Sequence, residues 1–389
     1  MTPAELPARL RARRKEGLAR RRRRVEARDG IRLRIGGRVL VGFCSNDYLG
    51  LATDPGPAAV LARAAREWGT GSGAAHLVCG HTAPHARLEA RMAEFLERDR
   101  ALLFSTGYMA NLGVLTTFAG RGDHVFEDRL NHASLLDGAR LAGARLVRYR
   151  HRDLEDLQQR LAALPPGRGA LVATDAVFSM DGDRAPLSGL ARLCAQHRAW
   201  LLADDAHGFG VAGPGGRGSV AAAGLDQHQV PLLMVTLGKA LGGFGALVAG
   251  PDEVIEALVQ WARPWVYTTA LPPALAEAMV DALGRLEAAE DRRRRLAGHI
   301  QRLRAGVAAL GLELLPSGTP VQALVLGSAE RALAWSAALE DAGFLVPAIR
   351  PPTVPAGTAR LRIALSAAHR ARDVDGLVAA LGRAMEVAG

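Results

Sequence analysis

Lysine is nearly absent from this chain: of its 49 Lys and Arg residues only two, Lys15 and Lys239, are lysine. Cysteine is scarce as well, with three residues, Cys44, Cys79 and Cys194, and no Cys-x-x-Cys pair. An odd and scattered set argues against a disulfide framework or a thiolate zinc site and points to a reducing compartment. Aromatics are 5% of the chain, and few of them stand beside the basic runs at 9–24 and 292–295. With no zinc-finger or RNA-recognition pattern either, those runs read as solvated helix faces, so the formal charge of +10 does not predict a nucleic-acid partner. Long apolar runs are missing too: the stretch 240–251 is among the longest and is too short to span a bilayer. The basic N-terminus is not followed by an apolar segment of signal-peptide length. Together these absences predict a cytoplasmic protein that meets neither membrane nor nucleic acid.

What is present is an ordinary globular composition, 49% hydrophobic and 23% charged over 389 residues, enough for a large domain and a smaller one. The pattern divides the chain into an N-terminal arm (1–45), a large domain (46–283) and a small C-terminal domain (284–389). Residues 1–30 read as an arginine-rich helical arm and 31–43 as a hairpin around Gly36-Gly37. A helix is expected over 84–98, where Leu88, Met92, Phe95 and Leu96 keep helical spacing. Short apolar runs then alternate with helical stretches at 101–104, 124–127, 145–149, 170–174, 199–203, 232–236 and 245–249. Runs that are apolar on both faces and separated by helices predict a mostly parallel sheet with helices on either side. One long helix is expected over 272–310, bridging two domains, and beyond Gly311 strands near 321–326, 344–348 and 360–364 with helices near 330–342 and 372–387.

Ligands of such sheets bind at the carboxyl ends of the strands. There the chain carries Ser105-Thr106-Gly107-Tyr108, a turn into a helix whose open N–H groups suit a phosphate. Asn131-His132-Ala133-Ser134 opens another helix, and a lone histidine there is more often a cap than a catalyst. Ser179 of Val177-Phe178-Ser179 could donate to a ligand, whereas Asp181 and Asp183 fit the shaping of a turn. Asp204-Asp205-Ala206-His207 ends a buried strand, where adjacent carboxylates are costly unless a ligand or cation answers them. A metal is the rival there, but His81 and His85 lack His-Glu-x-x-His spacing and no cysteine stands nearby, so no metal is expected. Gly213 to Gly218 matches G-x-G-x-x-G formally, yet starts ten residues beyond a strand and contains Pro214, so it reads as a loop. Gly238-Lys239 is no Walker A motif, because Leu233 and Ala240 occupy its required Gly and Ser/Thr positions.

In a chain that uses arginine almost everywhere, Lys239 among Gly, Leu and Ala marks work that a guanidinium cannot do. An amine can lose its proton and condense with an aldehyde; a guanidinium stays charged. A phosphate cradle, an imidazole plate, a buried aspartate and a lone amine at neighbouring strand ends are the parts that hold pyridoxal 5′-phosphate (PLP).

At these residues the chain resembles the α-oxoamine synthases, a family of fold-type I PLP enzymes. The resemblance rests on Ser45-Asn46-Asp47-Tyr48-Leu49-Gly50-Leu51, Phe178-Ser179-Met180-Asp181-Gly182-Asp183, Asp204-Asp205-Ala206-His207, Thr236-Leu237-Gly238-Lys239, Ile349-Arg350-Pro351-Pro352-Thr353-Val354-Pro355 and Arg360-Leu361-Arg362-Ile363. It implies an aspartate-aminotransferase-like α/β fold: a mostly parallel seven-stranded sheet with helices on both faces and a smaller C-terminal α/β domain. It also implies a homodimer with the active site at the subunit interface. Within the family the motifs are most similar to the branch that joins L-alanine to pimeloyl-CoA or a pimeloyl-carrier protein. The alternatives are glycine with acetyl- or succinyl-CoA, or serine with a long-chain acyl-CoA.

Residue by residue, the resemblance implies Lys239 as the cofactor's lysine, Asp204 at the pyridine nitrogen, His207 at the ring hydroxyl and His132 stacked on the ring. Gly107, Tyr108 and Thr236 would hold the phosphate, with Thr268 and Thr269 reaching in from a second subunit. Ser179 and Asn46 would contact cofactor or substrate, Arg350 and Arg362 the substrate carboxylate, and Arg20 the far carboxylate of the acyl chain. Arg360 and Arg362 share a strand face, so periodicity does not separate them. Asp175 stands where the family usually has glutamate.

Overall fold

The seven apolar runs become the seven strands of one sheet in the computed structural model, which describes residues 2–16, 18–20 and 22–388. The strands are Arg100–Phe104, His124–Asp128, Arg145–Tyr149, Ala170–Asp175, Trp200–Asp204, Leu232–Thr236 and Ala246–Gly250. Across the sheet they run in the order 100–104, 246–250, 232–236, 200–204, 170–175, 124–128, 145–149. All pairings are parallel except those of strand 246–250, which is antiparallel to both neighbours. Full burial of His124–Asp128, Ala170–Asp175 and Ala246–Gly250 explains why these runs do not alternate. On one side Leu102, Leu171, Leu202, Met234 and Val248 pack with Val114 and Leu115 of helix Gly107–Phe118 and Ile255 and Leu258 of helix Asp252–Trp261. Each such side chain contributes roughly 1.5–3 kcal/mol on burial. Register then aligns the functional ends, with Asp175 opposite Asp204 and Asp204 opposite Met234.

The chain divides into two compact units, one of Leu49–Ser179 and Asp183–Arg293, the other of Met1–Tyr48, Met180–Gly182 and Arg294–Gly389. Residues before 49 therefore group with the C-terminal part, for a reason visible in that unit's own pairing. The hairpin turns at Gly36 and Gly37 (φ +57° and +75°), which only glycine adopts readily. Its strand Arg38–Gly42 then takes Phe344–Leu345 as a parallel neighbour, and Phe43 stacks on His369 with ring centroids 4.1 Å apart. A second sheet of this unit orders Val321–Gly327, Ala359–Ala364 and Ala348–Ile349.

Three expectations are corrected. The arm is helical only over Leu6–Lys15, and by Ala27–Asp29 it is already a strand; positions 1, 17 and 21 of it lie outside the described residues. The stretch 272–310 is two helices, Pro273–Glu287 and Glu290–Ala309. At the break Ala289 N bonds Leu286 O (3.1 Å), three residues back, and the Arg293 guanidinium takes the carbonyls of Leu286 (2.8 Å) and Glu287 (3.3 Å). An arginine thus satisfies a helix end that no glycine or proline announces. The strand expected over 344–348 is two short ones in different sheets, parted by Val346 and by Pro347, which has no N–H for a ladder. Among the described residues no helix is long and apolar enough to cross a membrane.

Candidate active site

Two acids meet across neighbouring strand ends. Asp204 is 6% exposed; its Oδ1 accepts from Ala206 N (3.0 Å) and its Oδ2 from Asn111 Nδ2 (2.7 Å). Asp175, its cross-strand partner, accepts the backbone N–H of His132 at 3.3 and 3.2 Å. Burial first, and the charge of Asp204 second, push the Asp175 carboxyl well above its ordinary range. The next residue, Asp205, makes a separate contact, accepting Ser219 N at 2.6 Å, and burial raises it to about 7. The adjacent carboxylates therefore do not converge on one ligand. Among the described residues no group of three or more His, Cys, Asp or Glu is arranged to hold a metal.

Lys239 lies in the turn between strands 232–236 and 246–250. Leu237 N bonds Gly245 O (2.9 Å), Gly243 N bonds Leu237 O (2.8 Å), and Gly242 sits at φ +79° where a Cβ would come within 2.3 Å of Ala52 N. That tight loop carries the lysine to 2.8 Å from His207 Nε2. Thr236 Oγ1 donates to Gly245 O (3.1 Å) and accepts Gly238 N (3.2 Å) beside it.

His132 caps helix Ala133–Leu141, its Nδ1 accepting Ser134 N at 3.3 Å and standing 2.7 Å from Ser134 Oγ. Loss of water around the ring lowers its pKa; the charge of Asp204 opposes the shift and that of Lys239 adds to it. Tyr108 meets His132 edge to face at 6.4 Å and bonds Asp137 through its hydroxyl. Gly107 and Tyr108 open helix Gly107–Phe118, whose cap Thr106 accepts Met109 N (3.2 Å). A Cβ on Gly107 would stand 3.3 Å from Met234 Cε, a close contact with the end of a flexible side chain.

Other expected residues are fixed by contacts of their own. Ser179 is half-buried in a turn closed by Phe178 N to Asp183 O (2.9 Å). Thr268 and Thr269 follow helix Arg263–Val266, where Thr269 bridges Ala75, and among the described contacts neither meets Gly107, Tyr108 or Thr236.

The other unit holds the arginines. Arg362, 5% exposed, bonds Asn46 Oδ1 at 3.1 Å, and the Tyr48 hydroxyl bonds the same oxygen at 3.2 Å. Burial pushes that hydroxyl up to about 12. Arg360 is committed elsewhere: its guanidinium pairs with Asp181, expected only to shape a turn, and with Thr358 O (2.9 Å) and Oγ1 (3.1 Å). Arg350 is half-buried just beyond Ala348–Ile349, and Arg20 is exposed between the first helix and the first strand.

Sequence reading missed Asn111, Ser134 as a hydrogen-bonding group and the contact of Asp175. Asn111 had a signal: it is one turn beyond Gly107 on the same face of an apolar helix, where a buried amide demands partners.

The model for aminotransferases of class I and II matches residues 38–381. The 8-amino-7-oxononanoate synthase of Alkalilimnicola ehrlichii is 59% identical over 97% of this chain and 96% of its own. The solved serine palmitoyltransferase of S. paucimobilis with bound PLP and myriocin is 31% identical, with a TM-score of 0.93 over 99% of this chain and 97% of that one. A crystal structure of 8-amino-7-oxononanoate synthase from Francisella tularensis is 30% identical, with a TM-score of 0.79 over 90% of this chain and 98% of that one. By fold, by length and by the residues at its strand ends, the chain belongs to the aminotransferase class I and II family, in the branch whose curated relatives are 8-amino-7-oxononanoate synthases.

Proposed function

We propose that the chain catalyses the PLP-dependent decarboxylative condensation of L-alanine with a pimeloyl thioester, on CoA or a carrier protein. The products are 8-amino-7-oxononanoate, carbon dioxide and free thiol, a step of biotin biosynthesis. The observation that carries this reading is the lone amine of Lys239, 2.8 Å from His207 and in the same strand-end group as Asp204 and His132. The branch is supported by the 59% identity, over 97% of this chain, to a curated synthase of this kind.

The residues fit PLP. The bare backbone at Gly107, the start of a helix, suits a phosphate. Asp204, fixed from two sides, suits a protonated pyridine nitrogen. Lys239 supplies the amine and Thr236 a hydroxyl at the same strand end. Bound there, PLP supplies an electron sink for the pair released when a bond at the amino acid's α-carbon breaks.

The chain's own groups do the rest. Lys239 Nζ would be the amine that holds the cofactor and the group placed to move the amino acid's α-proton. His207 Nε2, 2.8 Å from that amine, would steady it and would lie toward the ring hydroxyl of the bound cofactor. Asp204 would favour a protonated ring nitrogen, and His132 would lie against the ring of the bound cofactor. Ser179 and Asn46 orient cofactor and substrate, and Arg362, with Arg350, binds the amino acid's carboxylate. Arg20 meets the far carboxylate of the acyl chain. We read the working form as a homodimer in which Thr268 and Thr269 of a second copy complete the phosphate site, and its place as the cytoplasm, where Cys44, Cys79 and Cys194 stay free thiols.

The test is thiol release with alanine, glycine and serine, each against pimeloyl-, acetyl-, succinyl- and palmitoyl-CoA. Release with alanine and pimeloyl-CoA alone is expected. A different preferred pair would move the chain to another branch of the same chemistry.

A further inference from the structure

A fully buried amide joins two groups of the site. Asn111, 0% exposed, sends one amide hydrogen to Asp204 Oδ2 (2.7 Å) and the other to Ser134 Oγ (2.8 Å). The reverse orientation would set the amide oxygen against a carboxylate that already accepts Ala206 N, so the nitrogen must face Asp204. With both hydrogens committed, Asn111 Oδ1 is left buried without a hydrogen-bond partner, which is tolerated only where the two donations matter more. Ser134 Oγ therefore accepts from Asn111, and its own hydrogen points to its other neighbour, His132 Nδ1, at 2.7 Å. The Ser134 backbone N–H aims at the same nitrogen from 3.3 Å.

We infer that Asn111 and Ser134 are positioning residues that fix the tautomer of His132, holding Nδ1 as an acceptor and leaving the ring's hydrogen on Nε2. An Nδ1–H would confront a backbone N–H that cannot turn away and a hydroxyl already oriented by Asn111. The relay runs Asp204, Asn111, Ser134, His132, so the acid assigned to the pyridine nitrogen and the imidazole assigned to the ring face are set by one amide. Other groups around His132 act on its charge and leave this choice unmade: Asp204 and Asp137 attract a proton, Lys239 repels one, Asp175 takes the backbone N–H, and Tyr108 meets the ring edge. The inference rests on the reading of His132 and Asp204 as cofactor-facing groups only for its consequence; the tautomer is a property of the chain.

The experiment is ¹⁵N NMR of PLP-loaded protein carrying [¹⁵N]histidine, with His132→Gln to assign the ring signals. The wild type is expected to show an unprotonated Nδ1 and a protonated Nε2. Ser134→Ala and Asn111→Ala should each shift the tautomer ratio toward Nδ1–H by about fivefold, the worth of one lost neutral hydrogen bond. Ser134→Ala removes a single hydroxyl and serves if the Asn111 variant does not fold. A wild type with Nδ1–H, or ratios unchanged in the folded variants, overturns the inference. A protein that takes up no PLP would instead overturn the functional reading, and the same ring signals would still decide this one.

Discussion

Lys239 Nζ stands 2.8 Å from His207 Nε2, a distance at which one nitrogen must donate and the other accept. An ammonium at Lys239 would be answered by an unprotonated Nε2, and a neutral amine could instead accept from Nε2–H. The contact holds the amine at one place at the mouth of the sheet, where a longer and always charged guanidinium cannot substitute.

Lys239→Ala and Lys239→Arg should both lose the yellow absorption of lysine-bound PLP and lower kcat by about 10²–10⁴-fold, the range of a positioned acid and base. Borohydride reduction followed by peptide mass analysis checks it: wild type should carry the cofactor on Lys239 and neither variant should. Full turnover in either would sink the assignment.

Arg362 and Arg360 share a strand face yet should behave differently. Arg362→Ala is expected to raise KM for the amino acid about 10- to 100-fold, the loss of one charge-assisted contact, with cofactor absorption unchanged. Arg360→Ala leaves Asp181 without its guanidinium and should destabilise on the order of 3 kcal/mol. Parallel saturation curves and denaturant titrations separate the two; an unchanged KM in the Arg362 variant would pass the carboxylate to Arg350.

Glu127 predicts a pH effect on stability. It is 0% exposed, one of its oxygens lacks a partner, and burial raises its pKa from 4.5 to about 8. Between those values the folded chain holds a proton that the unfolded chain has released, so stability falls as pH rises through the window and the loss is complete above about 8. Glu127→Gln should therefore raise Tm at pH 9, with a gap of up to a few kcal/mol that closes below about pH 5. A gap independent of pH would contradict this origin.

Asp204→Asn should keep PLP bound but cut kcat at least about 100-fold, because an amide cannot hold the pyridine nitrogen protonated. Visible absorption before and after substrate, beside steady-state rates, tests it; near-normal turnover would remove Asp204 from its role.

Much of this protein was legible in one dimension. Seven apolar runs gave seven strands, because burial on both faces of the central ones, such as Ala170–Asp175 and Ala246–Gly250, writes itself as nearly unbroken apolar sequence. Lys239 stood out because the chain otherwise uses arginine. The tight Gly36-Gly37 turn was equally local. What the sequence left open were choices among partners. Periodicity put Arg360 and Arg362 on one face, and only the fold gives Arg360 to Asp181, 179 residues away, and Arg362 to Asn46. Asp204 and Asp205 are neighbours of one chemistry, and the fold separates them by giving one to Asn111 and the other to Ser219. The helix break at 288–289 depends on the Arg293 side chain folding back onto two carbonyls. Hydrophobic period is a property of adjacent residues and survives in the sequence, whereas a hydrogen bond such as Asn111 to Asp204 joins groups 93 positions apart and exists only once the sheet and its helices have packed.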